Sequence, residues 1–327
     1  MPPHLPFGGG LCYTIRKGGF TMYQPLKDTR KHLLLDTDIG PDCDDVGAIA
    51  VMAALCRRYD IPVDLIVNCT SNHAGTLCAE VIARYCGLAV GGFGENKQPG
   101  FLDGDAESRY NRFVAAAFGS DHAVPDAVTA YRRALSLLPD KGGVLCAIGP
   151  LSTLAQLMQS EPDGISPLDG RALLAQKIDA VVAMAGKFPE GREFNVFSDT
   201  EASQTFFGNC PVPVYLSDFD VGATVRSGFD ADAPLDGDNP VMASYRRYLE
   251  GTGREYRNAS FDLTAVHFAI EGVGDAFGLA EAEDFTVLPD GSNTFVPRSD
   301  GRFFRIVKRL SDEALGRFYD RILGSAR

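Results

Sequence analysis

A short apolar run that ends in a crowd of acids constrains this chain more than any other feature. Leu33-Leu-Leu35 is bounded by turn residues and reads as a buried strand. The ten residues from Asp36 to Asp45 hold five carboxylates, Asp36, Asp38, Asp42, Asp44 and Asp45, around Gly40 and Pro41. Val46 to Leu55 then has the length and apolar content of a helix. Strand, acidic turn and helix make an α/β unit, and open α/β sheets place their ligands at the carboxyl ends of the strands. Carboxylates this close raise one another's pKa unless a cation or a donor network balances them. An all-oxygen donor set suits a hard ion, Ca²⁺ or Mg²⁺, better than zinc.

Three other readings compete for the same residues. A solvated loop that caps the following helix accounts for one or two Asp, less well for five at a strand end. An EF-hand requires Gly at position 6 and Glu at position 12; counted from Asp36, those positions hold Pro41 and Gly47. A haloacid-dehalogenase-like phosphatase also uses a strand followed by Asp-x-Asp, and Asp218-Phe-Asp220 could pose as its last acidic motif. It further needs a strand-end Ser or Thr and a downstream Lys, and no convincing pair follows in order.

The chain has 327 residues and 45% hydrophobic content, enough to bury a large core. It shows no internal repeat and no linker between halves, so a single domain over 31–327 is expected. Met1 to Gly19 is rich in Pro and Gly, which makes residues 1–30 a flexible extension and Met22 a candidate start. The net charge of −12, with no basic block, argues against nucleic acid as a partner. No apolar run approaches the ~20 residues that a membrane span needs. Eight Cys fall mostly in apolar segments without a CxxC pair, so reduced thiols and a cytoplasmic location are expected.

Further strands end in polar turns. Pro62–Asn68 leads to Asn72 and His73, with a helix over 75–85. Residues 91–105 read as a Gly-rich loop, followed by helices over 109–118 and 126–138. The strand 142–148 runs into Gly149-Pro150, and Ile178–Met184 is another buried strand. Behind it lies Glu193-Phe-Asn195. A strand over 213–217 precedes a loop over 218–228, and Ser260-Phe261-Asp262 turns into a helix. Phe285–Leu288 and Phe303–Val307 read as a closing hairpin or edge strands, and Ser311 caps an amphipathic terminal helix.

These residues, in this order, resemble the nucleoside hydrolases, the inosine/uridine-preferring N-ribohydrolase family, whose signature runs Asp-x-Asp-x-Gly-x-Asp-Asp. Two extra residues here leave Asp42 or Asp44 as the first acid of the final pair; the helical run directly after Asp45 favours Asp44-Asp45. The resemblance implies an α/β fold with an open, mostly parallel central sheet flanked by helices. It implies Ca²⁺ as cofactor, held by Asp38, Asp45, Asp262 and the backbone carbonyl of Ile148. Asp44, Asn72, Met184, Glu193, Asn195 and Phe261 become substrate contacts, and Asp38 the general base. The partner is then a small nucleoside, and the assembly a homodimer or homotetramer.

Two departures matter. The loop between Gly186 and Glu193 is shorter than the family's and carries Lys187, Glu190 and Arg192 in place of a ribose-holding Asn. Phe261 stands where many members have a His that protonates the leaving base. His267 is a poor substitute, five residues beyond Asp262 and so ~140° around the helix. His73 is the candidate acid, assisted by Tyr256 or Arg254, set against a plain surface or capping role; Asn72 has the same capping alternative. Without Trp, base stacking falls to Phe261 and Tyr256. A phosphatase, and a ribose-binding homologue that has lost turnover, are the alternatives to an active N-ribohydrolase.

Overall fold

Leu33, Leu34 and Leu35 form the middle of the strand from which the whole sheet extends. The computed structural model describes residues 23–103, 109–230, 239–250, 252 and 255–326. A 3-10 turn (Leu26–Asp28) leads to β1 (His32–Thr37), α1 (Asp44–Tyr59), β2 (Val63–Asn68), α2 (His73–Tyr85), β3 (Phe93–Glu95), α3 (Arg109–Phe118) and α4 (Ala127–Leu137). Next come β4 (Gly143–Ala147), α5 (Ser152–Gln159), α6 (Gly170–Lys177), β5 (Ile178–Met184), β6 (Glu190–Arg192), α7 (Phe194–Ser198), α8 (Thr200–Asn209) and β7 (Val214–Ser217). The last part holds α9 (Phe219–Gly222), β8 (Arg226–Gly228), α10 (Pro240–Leu249), β9 (Arg257–Ala259) and α11 (Phe261–Glu271). It closes with β10 (Phe277–Val287), β11 (Ser292–Pro297), β12 (Phe303–Lys308) and α12 (Asp312–Ser325).

The ten-stranded sheet has the order β3-β2-β1-β4-β5-β7-β12-β10-β11-β6. Strands from β3 through β12 pair in parallel, and β10, β11 and β6 add on antiparallel. Parallel strands need crossovers and are buried on both faces, which is why their sequences read as continuous apolar runs. Strand alternation divides the core: Leu33 and Leu35 pack with α1 and α11, and Leu34 packs with α4 and α5 on the other face. After β1 the chain winds to β2 and β3 on one side and returns to β4 on the other. The carboxyl ends of β1 and β4 therefore flank a switch point, where open sheets bind ligands.

The open, mostly parallel, helix-flanked sheet in a single domain is what the sequence implied. Several boundaries differ. The packed chain is already in place at Tyr23, ahead of residue 31. Tyr23 stacks on Phe268 at 5.3 Å, its hydroxyl donates to the Ala269 carbonyl, and Leu26 is fully buried. These apolar side chains cover α11, so residues 23–30 belong to the domain; residues 1–22 lie outside the described ones. The expected loops at 91–105, 187–192 and 218–228 contain β3, β6, and α9 with β8 respectively. Nor is β12 an edge strand, because it pairs with β7 on one side and β10 on the other. Ser311 does cap α12, accepting from the Ala314 N–H at 3.2 Å. No helix among the described residues is long and apolar enough to cross a membrane.

Leu26→Ala should cost about 2–4 kcal/mol, the usual range for emptying a fully buried leucine site. Urea denaturation measures it, and a loss under about 0.5 kcal/mol would return these residues to a loose extension.

Candidate active site

The carboxyl ends of β1, β4 and β5 and the first turns of α1, α7 and α11 open onto one cavity of about 380 Å³. Its acids are Asp38, Asp42, Asp44, Asp45, Glu193 and Asp262, and its apolar wall includes Ile148, Met184 and Phe261. Nine of the expected site residues thus meet in one place, from Asp38 at the end of β1 to Asn195 in α7 and Asp262 in α11.

Helix geometry assembles the acids. Asp44 and Asp45 occupy the first turn of α1, and Asp262 the first turn of α11, where the helix dipoles favour negative charge. One oxygen from each of the three can be chosen so that all lie within 4.8 Å of one another. The helices approach closely because residue 47 is Gly: a Cβ there would sit 3.0 Å from Leu263 Cδ1 and against the Tyr245 hydroxyl. Asp44 Oδ2 accepts the Asp262 N–H at 3.1 Å, and Asp45 accepts from the Thr37 hydroxyl. Gly149 plays a matching part beside Asp38, since a Cβ at 149 would come within 2.8 Å of the Asp38 nitrogen.

The geometric triad is Asp44, Asp45 and Asp262, whereas the expected ligand set paired Asp38 with the latter two and left Asp44 to the ribose. Asp38 stands beside the triad, and after burial its charge is the next largest influence raising the pKa of Asp45. Of the two candidates for the first paired acid, both line the cavity, but only Asp44 joins the triad; Asp42 is held by the Asn258 amide and the Cys43 N–H.

Burial, followed by mutual repulsion, pushes Asp38, Asp44, Asp45 and Asp262 well above the ordinary carboxylate range. Burial likewise lifts Asp36, behind the cavity, to about 7, although the Thr153 and Tyr131 hydroxyls oppose it. Glu193 is raised to about 7 by burial, opposed by the N–H groups of Asn195, Gly186 and Val196 at 2.8, 3.0 and 3.2 Å. Among the described residues that line the cavity, Arg192 carries the only positive charge. The triad therefore needs bound protons or a cation, and its all-oxygen donors fit a hard divalent ion. Asn195 fastens the wall, donating to the carbonyls of Ile148 at 3.1 Å and Met184 at 3.0 Å. A carbonyl has a second lone pair, so Ile148 retains an acceptor position.

Two expected residues are not brought to the cavity. His73 opens α2 and is turned toward Glu95 (Nδ1 to Oε2, 2.7 Å) and Asp121 (Nε2 to Oδ1, 3.2 Å). Burial lowers its pKa, but the bonds to Glu95 and Asp121 outweigh that and raise it. The expected acid is thus tied up in an ion-paired cluster outside the cavity lining. Asn72 does not line the cavity either, and its side chain makes no cap; its amide nitrogen is buried without a partner. Tyr256 lies under Arg246 at 4.8 Å rather than in the wall, and Arg254 is outside the described residues. His267 is buried, hydrogen-bonded with the Tyr319 hydroxyl at 3.1 Å.

Sequence reasoning passed over Phe194, Phe197, Phe219 and Tyr248, which complete an aromatic wall. Phe194 sits inside the Glu-Phe-Asn motif and Phe219 lies two residues beyond the end of β7, so both carried a positional signal. Tyr248, on α10, had none.

The family model of the inosine-uridine preferring nucleoside hydrolases matches residues 33–288. This chain belongs to that family. Nucleoside hydrolases act on N-glycosyl compounds, and the phosphatase alternative falls with the match. The fold agrees. An inosine-uridine preferring nucleoside hydrolase from Bacillus anthracis superimposes with a TM-score of 0.66 at 14% identity, covering 91% of this chain and 100% of its own. A purine-preferring ribonucleoside hydrolase from Gardnerella vaginalis gives 0.62 at 19% identity, covering 90% and 99%. The type III effector XopQ, solved with adenosine diphosphate ribose, gives 0.67 at 13% identity, covering 92% and 96%. No curated protein sequence matches.

The raised carboxylates fix a sign for the metal-free protein. Groups with a folded pKa above the unfolded one stabilise fully below about pH 3.8 and lose that contribution as pH rises toward 7 and beyond. EDTA-treated protein should therefore melt at a lower temperature at pH 7.5 than at pH 5, and an added divalent cation should abolish that deficit. A melting temperature that climbs steadily over that range without metal would show the cluster to be balanced some other way.

Proposed function

We propose that this protein hydrolyses the N-glycosidic bond of ribonucleosides in a Ca²⁺-dependent reaction. The observation that carries the reading is a desolvated set of acids, at two helix N-termini and one strand end, in a cavity with an aromatic wall. Asp38, Asp45, Asp262 and the Ile148 carbonyl would hold the ion. When bound, it supplies charge balance, positions for the ribose diol and a lowered pKa for the attacking water.

The chain's own groups do the rest. Asp38, at the end of β1, takes the water's proton as the oxygen approaches C1′. Asp44 gives one oxygen to the Asp262 N–H and turns the other to a ribose hydroxyl. Glu193 and Asn195, fixed by backbone bonds, shape the sugar pocket. As the C1′–N bond lengthens, the ring gains positive charge, as in other glycoside hydrolyses. Carboxylates in a low-dielectric site stabilise that charge more strongly than water does. Met184 packs against the sugar, and Phe261 and Tyr248 offer aromatic faces to the base. Reduced, buried cysteines suit a cytoplasmic enzyme, and a homodimer or homotetramer belongs to the same reading, tested by light scattering.

Incubation with a nucleoside panel, followed by a reducing-sugar assay, tests the activity directly; no sugar from any nucleoside would leave a ribose-binding homologue. Asp45→Ala and Asp262→Ala should lose metal and activity together, and full metal content by elemental analysis would remove either from the ligand set. Asp38→Asn should retain part of the metal and lower kcat by about 10²–10⁴; a defect confined to KM contradicts a base.

The position of His73 yields an expectation opposite to that of the sequence. An acid assists inosine, whose base needs a proton, far more than p-nitrophenyl riboside, whose phenolate leaves unaided. His73→Ala should leave the ratio of the two rates within about threefold of the starting protein, well short of the ~10²-fold minimum typical of an acid. A selective loss on inosine would put His73 back in the acid role.

A further inference from the structure

The wall of the cavity farthest in character from its acidic floor is β6. Arg192, at the end of this strand, lines the cavity with its guanidinium 4.6 Å from the centre of the Phe197 ring, another wall residue. Among the described residues no carboxylate lies within 4.0 Å of it, though its charge is felt at the Asp290 carboxylate. Lys187 stands over Phe219, likewise a wall residue, with its ammonium 4.2 Å from the ring centre. The Lys187 partner Asp220 is 3.5 Å away and largely exposed, so that pair holds the lysine weakly. Aromatic faces stabilise cations while leaving their N–H groups open to an anion.

The backbone beneath these cations is fixed. β6 pairs antiparallel with β11, Arg192 opposite Ser292 and Gly191 opposite Asn293. The buried Asn293 grips Lys187 from both sides, accepting its N–H and donating to its carbonyl, each at 2.9 Å. Glu193, the next acid in the chain, has its oxygens turned to three backbone N–H groups.

A riboside presents three things to such a cavity. Its 2′,3′-diol seeks the acidic floor, and its base the Phe261 and Tyr248 faces of the wall. The remaining substituent, on C5′, is left for the β6 side. We propose that the site accepts ribosides bearing an anionic group on C5′, a 5′-phosphate being the simplest, with Arg192 as the anion contact and Lys187 as the second positive charge. The proposal rests on the N-ribohydrolase reading above. Guanidinium suits a phosphate through two parallel N–H···O bonds. In the reaction the water oxygen bonds to C1′ and its proton passes to Asp38. The C1′–N electron pair leaves with the base, which takes a proton from solvent, giving free base and ribose 5-phosphate.

Two measurements test this in the presence of Ca²⁺. Calorimetric titration compares ribose 5-phosphate with ribose, and turnover compares inosine 5′-monophosphate with inosine. The phosphorylated compound should be favoured about tenfold or more in both. Arg192→Ala should shrink that preference at least fivefold, chiefly through KM, and Arg192→Lys should keep part of it. A merely structural role for Arg192 would weaken both members of each pair alike, and that result overturns the proposal. Nucleosides cleaved with no preference for the 5′-phosphate also overturn it while leaving the hydrolase reading intact. Arg192-dependent binding of ribose 5-phosphate with no cleavage of any riboside supports the anion site and sinks the hydrolase reading instead.

Discussion

Like charges held together out of water set the terms for this structure. Two carboxylates about 5 Å apart repel by about 3 kcal/mol at an effective dielectric constant of 20. Asp44, Asp45 and Asp262, each at most 5% exposed and with oxygens within 4.8 Å, form three such pairs. Their sum, about 10 kcal/mol, is comparable to the net stability of a whole domain. Helix dipoles return only about 0.3–1 kcal/mol per acid at ordinary sites. Protons or a cation must make up the difference.

The rest of the fold keeps that arrangement from relaxing. β1 and β4 run side by side to the switch point and deliver Asp38 and Ile148 to the same level. Glycines at 47 and 149 remove the side chains that would hold α1 away from α11 and the β4 turn away from Asp38. Asn195 then joins the ends of β4 and β5 through two carbonyls. Each device is individually modest. Together they leave the acids no room to separate.

What can be read from the sequence is local. The acidic turn, the strand ends and the Glu-Phe-Asn motif are each contiguous, so apolar runs and their polar stops suffice to locate most of the cavity. Misreadings arise where geometry depends on distant partners. His73 follows Asn72 in the chain, but the first turn of α2 directs it to Glu95, 22 residues on, and away from the cavity. β6 has only three residues and no apolar pattern; it is a strand because β11 lies beside it. Tyr248 enters the wall from α10, a helix whose sequence gives no sign of facing a ligand. Residues 23–30 read as part of a flexible extension because Pro and Gly upstream colour the whole segment, yet Tyr23 and Leu26 are buried against the domain.

The antiparallel strands at the end of the chain therefore do more than finish the sheet. β12 enters parallel to β7 and carries β10, β11 and β6 outward from it, so the cavity wall opposite α1 is built on segments that are remote in sequence. Asn293 and Lys187 are 106 residues apart, and a buried amide with both of its groups paired to one residue's backbone tolerates little displacement. Gly186, at φ +84°, makes the sharp turn out of the strand that lets Lys187 meet this amide, and a side chain there would strike Phe285 on β10. The floor of the site is thus set by parallel strands and two helix N-termini, and its mouth by an antiparallel addition. A change in the second can reshape the mouth without disturbing the acids of the floor.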